Sequence, residues 1–271
     1  MTFGTRLDAA IGNRGPLCIG IDPHAALLAS WGLPDSAAGV ERFALTCVEA
    51  FAGETAVLKP QSAFFERFGS AGIAALERAV REARAAGALI LLDVKRGDIG
   101  STMAAYADAY LDPCAPLAVD AITITPYLGV GSLQPAFDLV ARHDVGAFVV
   151  TLTSNKEGQD VQLARAADGR TIGQLVVDEV AERNLGAEPL GSLGLVVGAT
   201  IGDLGVDLSK LNGPILAPGV GTQGGTAEDV RRIFGDARSV LPSVSRDLLR
   251  AGPSVAELRD AARRYRDQFA S

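Results

Sequence analysis

Eight short runs rich in Val, Ile and Leu recur along the chain, separated by longer Ala/Arg/Glu segments with helical periodicity. They are LCIGID (17–22), AVLKP (56–60), ALILLDVK (88–95), AVDAITI (118–124), GAFVVTL (146–152), LGLVVGA (193–199), PILAP (214–218) and RSVLPSV (238–244). Their hydrophobicity is continuous rather than alternating, which is the pattern of strands buried on both faces of a parallel sheet. The intervening SAGIAALERAVREARAAG (70–87) and TIGQLVVDEVAERNLG (171–186) have a helical apolar period and stop at Gly87 and Gly186, as helix C-caps do. Eight βα units in 271 residues predict one closed (β/α)8 barrel, the TIM barrel, spanning 1–271 as a single domain. A short N-terminal helix in TRLDAAIGN and a C-terminal outer helix over 255–269 complete it, and an open doubly wound sheet is the alternative.

Composition narrows the function. With 48% hydrophobic and 21% charged residues the chain can bury a large core. Its 25 Lys and Arg against 32 Asp and Glu give a net charge of −7, so no overall basic field draws it to nucleic acid or anionic lipid. An anionic ligand must therefore meet a locally positive pocket. Three cysteines (Cys18, Cys47, Cys114) without a CxxC pair, and only two histidines, suggest neither a disulfide framework nor a zinc site. No membrane-length apolar run and no apolar signal core near the N-terminus are visible, so a cytoplasmic location is expected.

The third run ends in DVKRGDIGST, where Asp93 and Lys95 stand two apart and so share one face of a strand, with Asp98 on the loop beyond. Barrel interiors are normally aliphatic, and charges placed there cost several kcal/mol each unless paired, so a charged cluster at a strand's C-terminal end points to catalysis. A purely structural ion-pair network is the plainer reading. Lys59 ends the second run in the equivalent place. Asp22 closes the first, where it could accept hydrogen bonds from sugar hydroxyls or cap the next helix; His24 reads as a surface or capping group. After the seventh run, APGVGTQGGT offers Gly219, Gly221, Gly224 and Gly225, whose backbone N–H groups could turn toward an anion, with Gln223 beside them. Arg246 follows the eighth run, and the loops after strands seven and eight are where this fold most often holds phosphate. Ser154 and Asn155 open a long connection after the fifth run, which could be a lid or an ordinary turn.

In this order, LCIGIDPH, LKPQSAFFERFG, LLDVKRGDIGST, DAITITPYLG, TLTSN, LAPGVGTQGG and SVSRDLL resemble the orotidine 5′-monophosphate decarboxylase family, specifically its bacterial branch with DVKRGDIGST. The resemblance covers nearly the whole chain. It implies decarboxylation of orotidine 5′-monophosphate to UMP and CO2, the last step of de novo UMP biosynthesis, with neither metal nor organic cofactor. It places a catalytic tetrad on Lys59, Asp93, Lys95 and Asp98, and a homodimer in which Asp98, Ile99 and Thr102 enter the neighbouring subunit's pocket. By the same resemblance Asp22 and Lys59 hold ribose hydroxyls, Ser154 contacts the pyrimidine, and Gln223 and Arg246 bind phosphate, whose binding energy would close the loops at 153–160 and 219–226. Two rivals remain at this stage: a Mg²⁺-dependent sugar-phosphate decarboxylase or aldolase of the same barrel group, and a non-catalytic nucleotide-binding barrel.

Overall fold

In the computed structural model, which describes residues 1–202, 205–221, 224–235 and 239–269, eight parallel strands close into a barrel in chain order. The elements are α1 (Phe3–Arg14), β1 (Cys18–Ile21), α2 (Ala25–Ser30), α3 (Ala37–Phe51), β2 (Val57–Pro60), α4 (Ala63–Glu66), α5 (Gly69–Ala85), β3 (Leu89–Arg96), α6 (Gly100–Leu111), β4 (Ala121–Ile124), α7 (Gln134–His143), β5 (Gly146–Leu152), α8 (Gly158–Gln162), α9 (Ile172–Arg183), β6 (Leu193–Val197), β7 (Ile215–Pro218), α10 (Ala227–Phe234), β8 (Val240–Val244), α11 (Arg246–Leu249) and α12 (Val255–Phe269). Every apolar run holds a strand. Gly87 and Gly186 lie just past α5 and α9 with φ of 84° and 75°, the left-handed turn that glycine accepts without a Cβ penalty. No helix among the described residues is long and apolar enough to cross a membrane.

Two expectations need correction. The βα alternation lapses between β6 and β7, where the described residues form no helix. Gly198, Gly202, Gly205 and Pro214 interrupt that link, and Asn212 is left-handed at φ 41°. The fourth run starts its strand at Ala121 rather than at 118, because Asp120 is committed elsewhere: its carboxylate accepts from Arg6 Nη1 at 2.6 Å and its carbonyl from the Gly146 amide.

The chain parts into two compact units, Ala10–Val94 with Ser243–Ser271, and Met1–Ala9 with Lys95–Pro242. In the first, β1 pairs in parallel with β2 (Cys18 opposite Val57) and with β8 (Cys18 opposite Ser243), while β2 pairs with β3 (Val57 opposite Leu89). Phe43, Phe51, Phe65 and Leu76 are fully buried where α3, α4 and α5 cover these strands. Arg14 ends α1 by donating to the carbonyls of Ala52, Thr55 and Gly87, which precede β2 and β3. In the second unit, β4 to β7 pair in order, and the start of α1 covers the N-terminal end of β5. There Phe3 meets Phe148 edge to face, with ring centroids 6.1 Å apart. Gly146 is required beneath it, since a Cβ would collide with the Phe3 ring. α1 thus covers the N-terminal end of β5 with its start and ties the loops entering β2 and β3 with its last residue.

Candidate active site

At the C-terminal ends of β1 to β3, the unit of residues 10–94 and 243–271 carries charge where aliphatic side chains would be expected. Lys59, third residue of β2, is 6% exposed, and its Nζ donates to Asp93 Oδ2 at 3.2 Å and lies 4.0 Å from Asp22 Oδ1. Burial alone would drive the proton off Lys59. The Asp93 and Asp22 carboxylates outweigh that and hold the ammonium well above its ordinary range. Cys18, on β1, is buried too; burial pushes its thiol up to about 12 against the pull of Lys59, so it stays neutral. The Asp93 carbonyl accepts the Ser62 amide at 3.2 Å, fixing the start of α4. Asp22 Oδ1, and Ser245 Oγ at the end of β8, are buried without a hydrogen bond, so this rim carries polar atoms with unspent capacity.

Arg246 is half-buried and begins α11 directly after β8. The neighbouring Asp247 takes its salt bridge from Arg250 at 3.0 Å. His24 makes no capping hydrogen bond at the start of α2; its ring stands against Phe64 with centroids 4.2 Å apart. Burial lowers the His24 pKa, Asp22 opposes that and Arg246 reinforces it, which marks the imidazole as a neighbour of both charges.

The unit of residues 95–242 begins at Lys95. Strict alternation puts Asp93 and Lys95 on one face, yet Asp93 is buried whereas Lys95 is exposed and left the extended path, at φ 45°. A left-handed non-glycine residue costs on the order of 1 kcal/mol or more, and such strain persists only where the surroundings impose it. The Lys95 amide donates to Thr123 Oγ1 at 2.9 Å, and the Arg96 carbonyl accepts the Thr125 amide at 2.8 Å. Gly97 follows with no room for a Cβ against the Thr125 carbonyl. Arg96 lies over the Tyr106 ring at 5.5 Å and donates to Tyr110 Oη at 3.3 Å, anchoring α6. Asp98 is half-buried, and its Oδ1 accepts the Ile99 amide at 2.8 Å. Ile99, Thr102 and Tyr106 recur at helical spacing and are exposed, Ile99 by 61%.

Farther along this unit, Ser154 is exposed and lines a cavity of about 220 Å³ with Thr200 and Ile201. Asn155 is spent in its own turn, accepting from Thr153 Oγ1 at 2.6 Å and donating to Glu157 Oε2 at 3.1 Å. In the glycine loop, Gly219, Gly221 and Gly224 are left-handed. The expected outward-facing amides are not those of Gly221, Gly224 or Gly225: they donate to Gly225, Gly221 and Gly219 respectively, closing the loop on itself. Gln223 lies outside the described residues. Thr123 is not singled out by the sequence because it sits inside an apolar run; a lone hydroxyl between Ile122 and Ile124 was the available signal.

A barrel with a buried Lys–Asp pair at its C-terminal strand ends, and a strained exposed lysine two residues further along the same strand, is the frame of a (β/α)8 enzyme acting on a polar, charged substrate. The chain belongs to the orotidine 5′-phosphate decarboxylase / HUMPS family, whose model matches residues 15–261. It is 62% identical over 264 residues to the Salinispora arenicola protein named orotidine 5′-phosphate decarboxylase, covering 97% of this chain and 95% of that one. A crystal structure of a Streptomyces avermitilis protein matches with a TM-score of 0.97 and 57% identity, over 99% of this chain and 94% of the other. The Leishmania donovani OMP decarboxylase structure matches with a TM-score of 0.77 and 32% identity, over 99% and 98%.

Proposed function

We propose that this chain removes CO2 from C6 of orotidine 5′-monophosphate to give UMP, closing de novo UMP synthesis. The observation that carries the reading is the buried Lys59–Asp93 pair at 3.2 Å, followed two residues later by Lys95. The names of close relatives support the same reaction. As the C6–carboxylate bond breaks, its electron pair stays on C6, where no adjacent carbonyl can take it up in the ordinary β-keto manner. Charge at carbon must then be stabilised by preorganised electrostatics. The Lys95 ammonium supplies that field and delivers its proton to C6; solvent reprotonates the resulting amine. Asp93, with Asp98 from the partner subunit of a homodimer, holds that ammonium in place.

Around this centre Asp22 and Lys59 bind the ribose hydroxyls, Ser154 meets the pyrimidine, and Arg246 and Gln223 bind the phosphate, with Ile99 and Thr102 entering from the partner. Asp22 Oδ1 supports its assignment, since its unspent hydrogen-bonding capacity suits a hydroxyl donor. Arg246 suits a dianion through its two-pronged guanidinium. No metal and no organic cofactor takes part in the proposed steps.

The test follows orotidylate absorbance with EDTA-treated protein, wild type against Lys95→Ala. Metal-free conversion to UMP that the substitution abolishes, by a factor of at least about 10³ for a lost proton donor and charge stabiliser, is the expected result. Folded wild-type protein that does not convert orotidylate would return the chain to the metal-dependent sugar-phosphate branch. Tight UMP binding without turnover would make it a nucleotide-binding barrel.

A further inference from the structure

We propose that Thr123 is a positioning residue for Lys95, fixing the left-handed backbone from which the ammonium is presented; the inference rests on the reading of Lys95 as proton donor. Thr123 is 1% exposed and lies between Ile122 and Ile124 in β4, a strand otherwise made of apolar side chains. A hydroxyl buried there is unfavourable unless it is used. Its Oγ1 accepts the amide N–H of Lys95 at 2.9 Å, the very residue whose φ of 45° an L-amino acid avoids. The next two residues are tied to the end of the same strand: the Arg96 carbonyl accepts the Thr125 amide at 2.8 Å, and Gly97 lies against Thr125.

This is a short clamp. The backbone bond at Arg96 and the close approach at Gly97 are indifferent to the side chain at 123, whereas the bond to Lys95 depends entirely on it. Valine at 123 would fill the same space and leave the Lys95 amide without this acceptor. Relaxing toward an extended φ would then cost nothing at that amide and would swing the lysine side chain away, because φ sets the direction of Cβ. The hydroxyl therefore converts an unfavourable backbone conformation into a fixed aim for the ammonium. Threonine, valine and serine separate the hydroxyl from the volume, so the effect can be isolated.

The experiment compares kcat and KM for orotidylate, UMP affinity and melting temperature in wild type, Thr123→Val, Thr123→Ser and Lys95→Ala. The expected result is a fall in kcat of about tenfold to a hundredfold in Thr123→Val, the scale of a displacement near 1 Å at a reacting group, with KM and UMP affinity close to wild type. Thr123→Ser, which keeps the oxygen, recovers most of kcat, and a crystal structure of Thr123→Val shows Lys95 displaced from φ near 45°. Unchanged kcat in Thr123→Val alongside an inactive Lys95→Ala overturns the inference alone. So does a loss of kcat that Thr123→Ser shares in full. An active Lys95→Ala overturns the proton-donor reading and this inference with it. Should Thr123→Val not fold, Thr123→Ala removes the same oxygen without adding bulk and carries the same expectations.

Discussion

Lys59 is held as a cation between two carboxylates at a place where a barrel usually carries aliphatic side chains, so its loss costs more than its own contacts. Truncation to Lys59→Ala removes the cation that the buried Asp93 and the half-buried Asp22 both face. Breaking a buried pair in this way is expected to lower stability by about 3–5 kcal/mol, read as a shift in urea midpoint without a change in slope. A loss under about 1 kcal/mol would mean that the two acids are relieved by water or by protons, as exposed pairs are. Much of this residue-scale site could be read from the order of residues alone. Lysine and aspartate among Val, Ile and Leu are conspicuous, and the C-terminal ends of Asp22, Lys59 and Asp93's strands assemble as their positions in the runs imply. The backbone state of Lys95 could not be read, because nothing in DVKRGD announces a left-handed lysine; that conformation depends on Thr123, which is 28 residues away.

α10 shows how a single turn sets the border of the glycine loop. Thr226 Oγ1 accepts the Asp229 amide at 3.1 Å, and Asp229 Oδ2 accepts the Thr226 amide at 3.0 Å, so each caps the other. Thr226→Ala is expected to cost about 1 kcal/mol, measured by chemical unfolding. The same box gives a pH signature. The Thr226 hydroxyl and then Arg232 pull Asp229 from 3.8 down to about 2. A carboxyl whose folded pKa is depressed contributes stability above its unfolded value and loses it as pH falls, so this share disappears between pH 3.8 and about 2. Asp229→Asn should flatten that part of the acid limb, and an unchanged acid limb would show that the box is open in solution. At this scale the strands were the most legible elements, since continuous apolar runs have no other soluble use. That the described residues between β6 and β7 form no helix was not legible, because a stretch of that length between two runs reads as helix until its Gly, Pro and left-handed Asn212 are weighed. Nor does a row of glycines reveal where its N–H groups go; three of them turned inward.

For the whole molecule, the exposed face of α6 bears on assembly. Ile99 is 61% exposed, and Tyr106 lies on the same face as Thr102, an apolar stripe suited to a symmetric partner. In the proposed homodimer each pocket takes Lys95 from one protomer and Asp98 from the other. Mixing Lys95→Ala with Asp98→Asn, each inactive alone, should therefore restore about a quarter of wild-type activity: half of randomly paired dimers are hybrids, and each hybrid has one intact pocket. No recovery after verified subunit exchange would place Asp98 in its own protomer's site. The conformation of Lys95 has one more consequence, for anyone seeking a hardier version of this enzyme. On the proposed role of Lys95 as proton donor, position 95 is where heat resistance and chemistry make opposite demands, because glycine would relieve the left-handed backbone that lysine endures. A variant library ranked by survival on heating would favour that replacement, and only a second ranking by turnover would discard it.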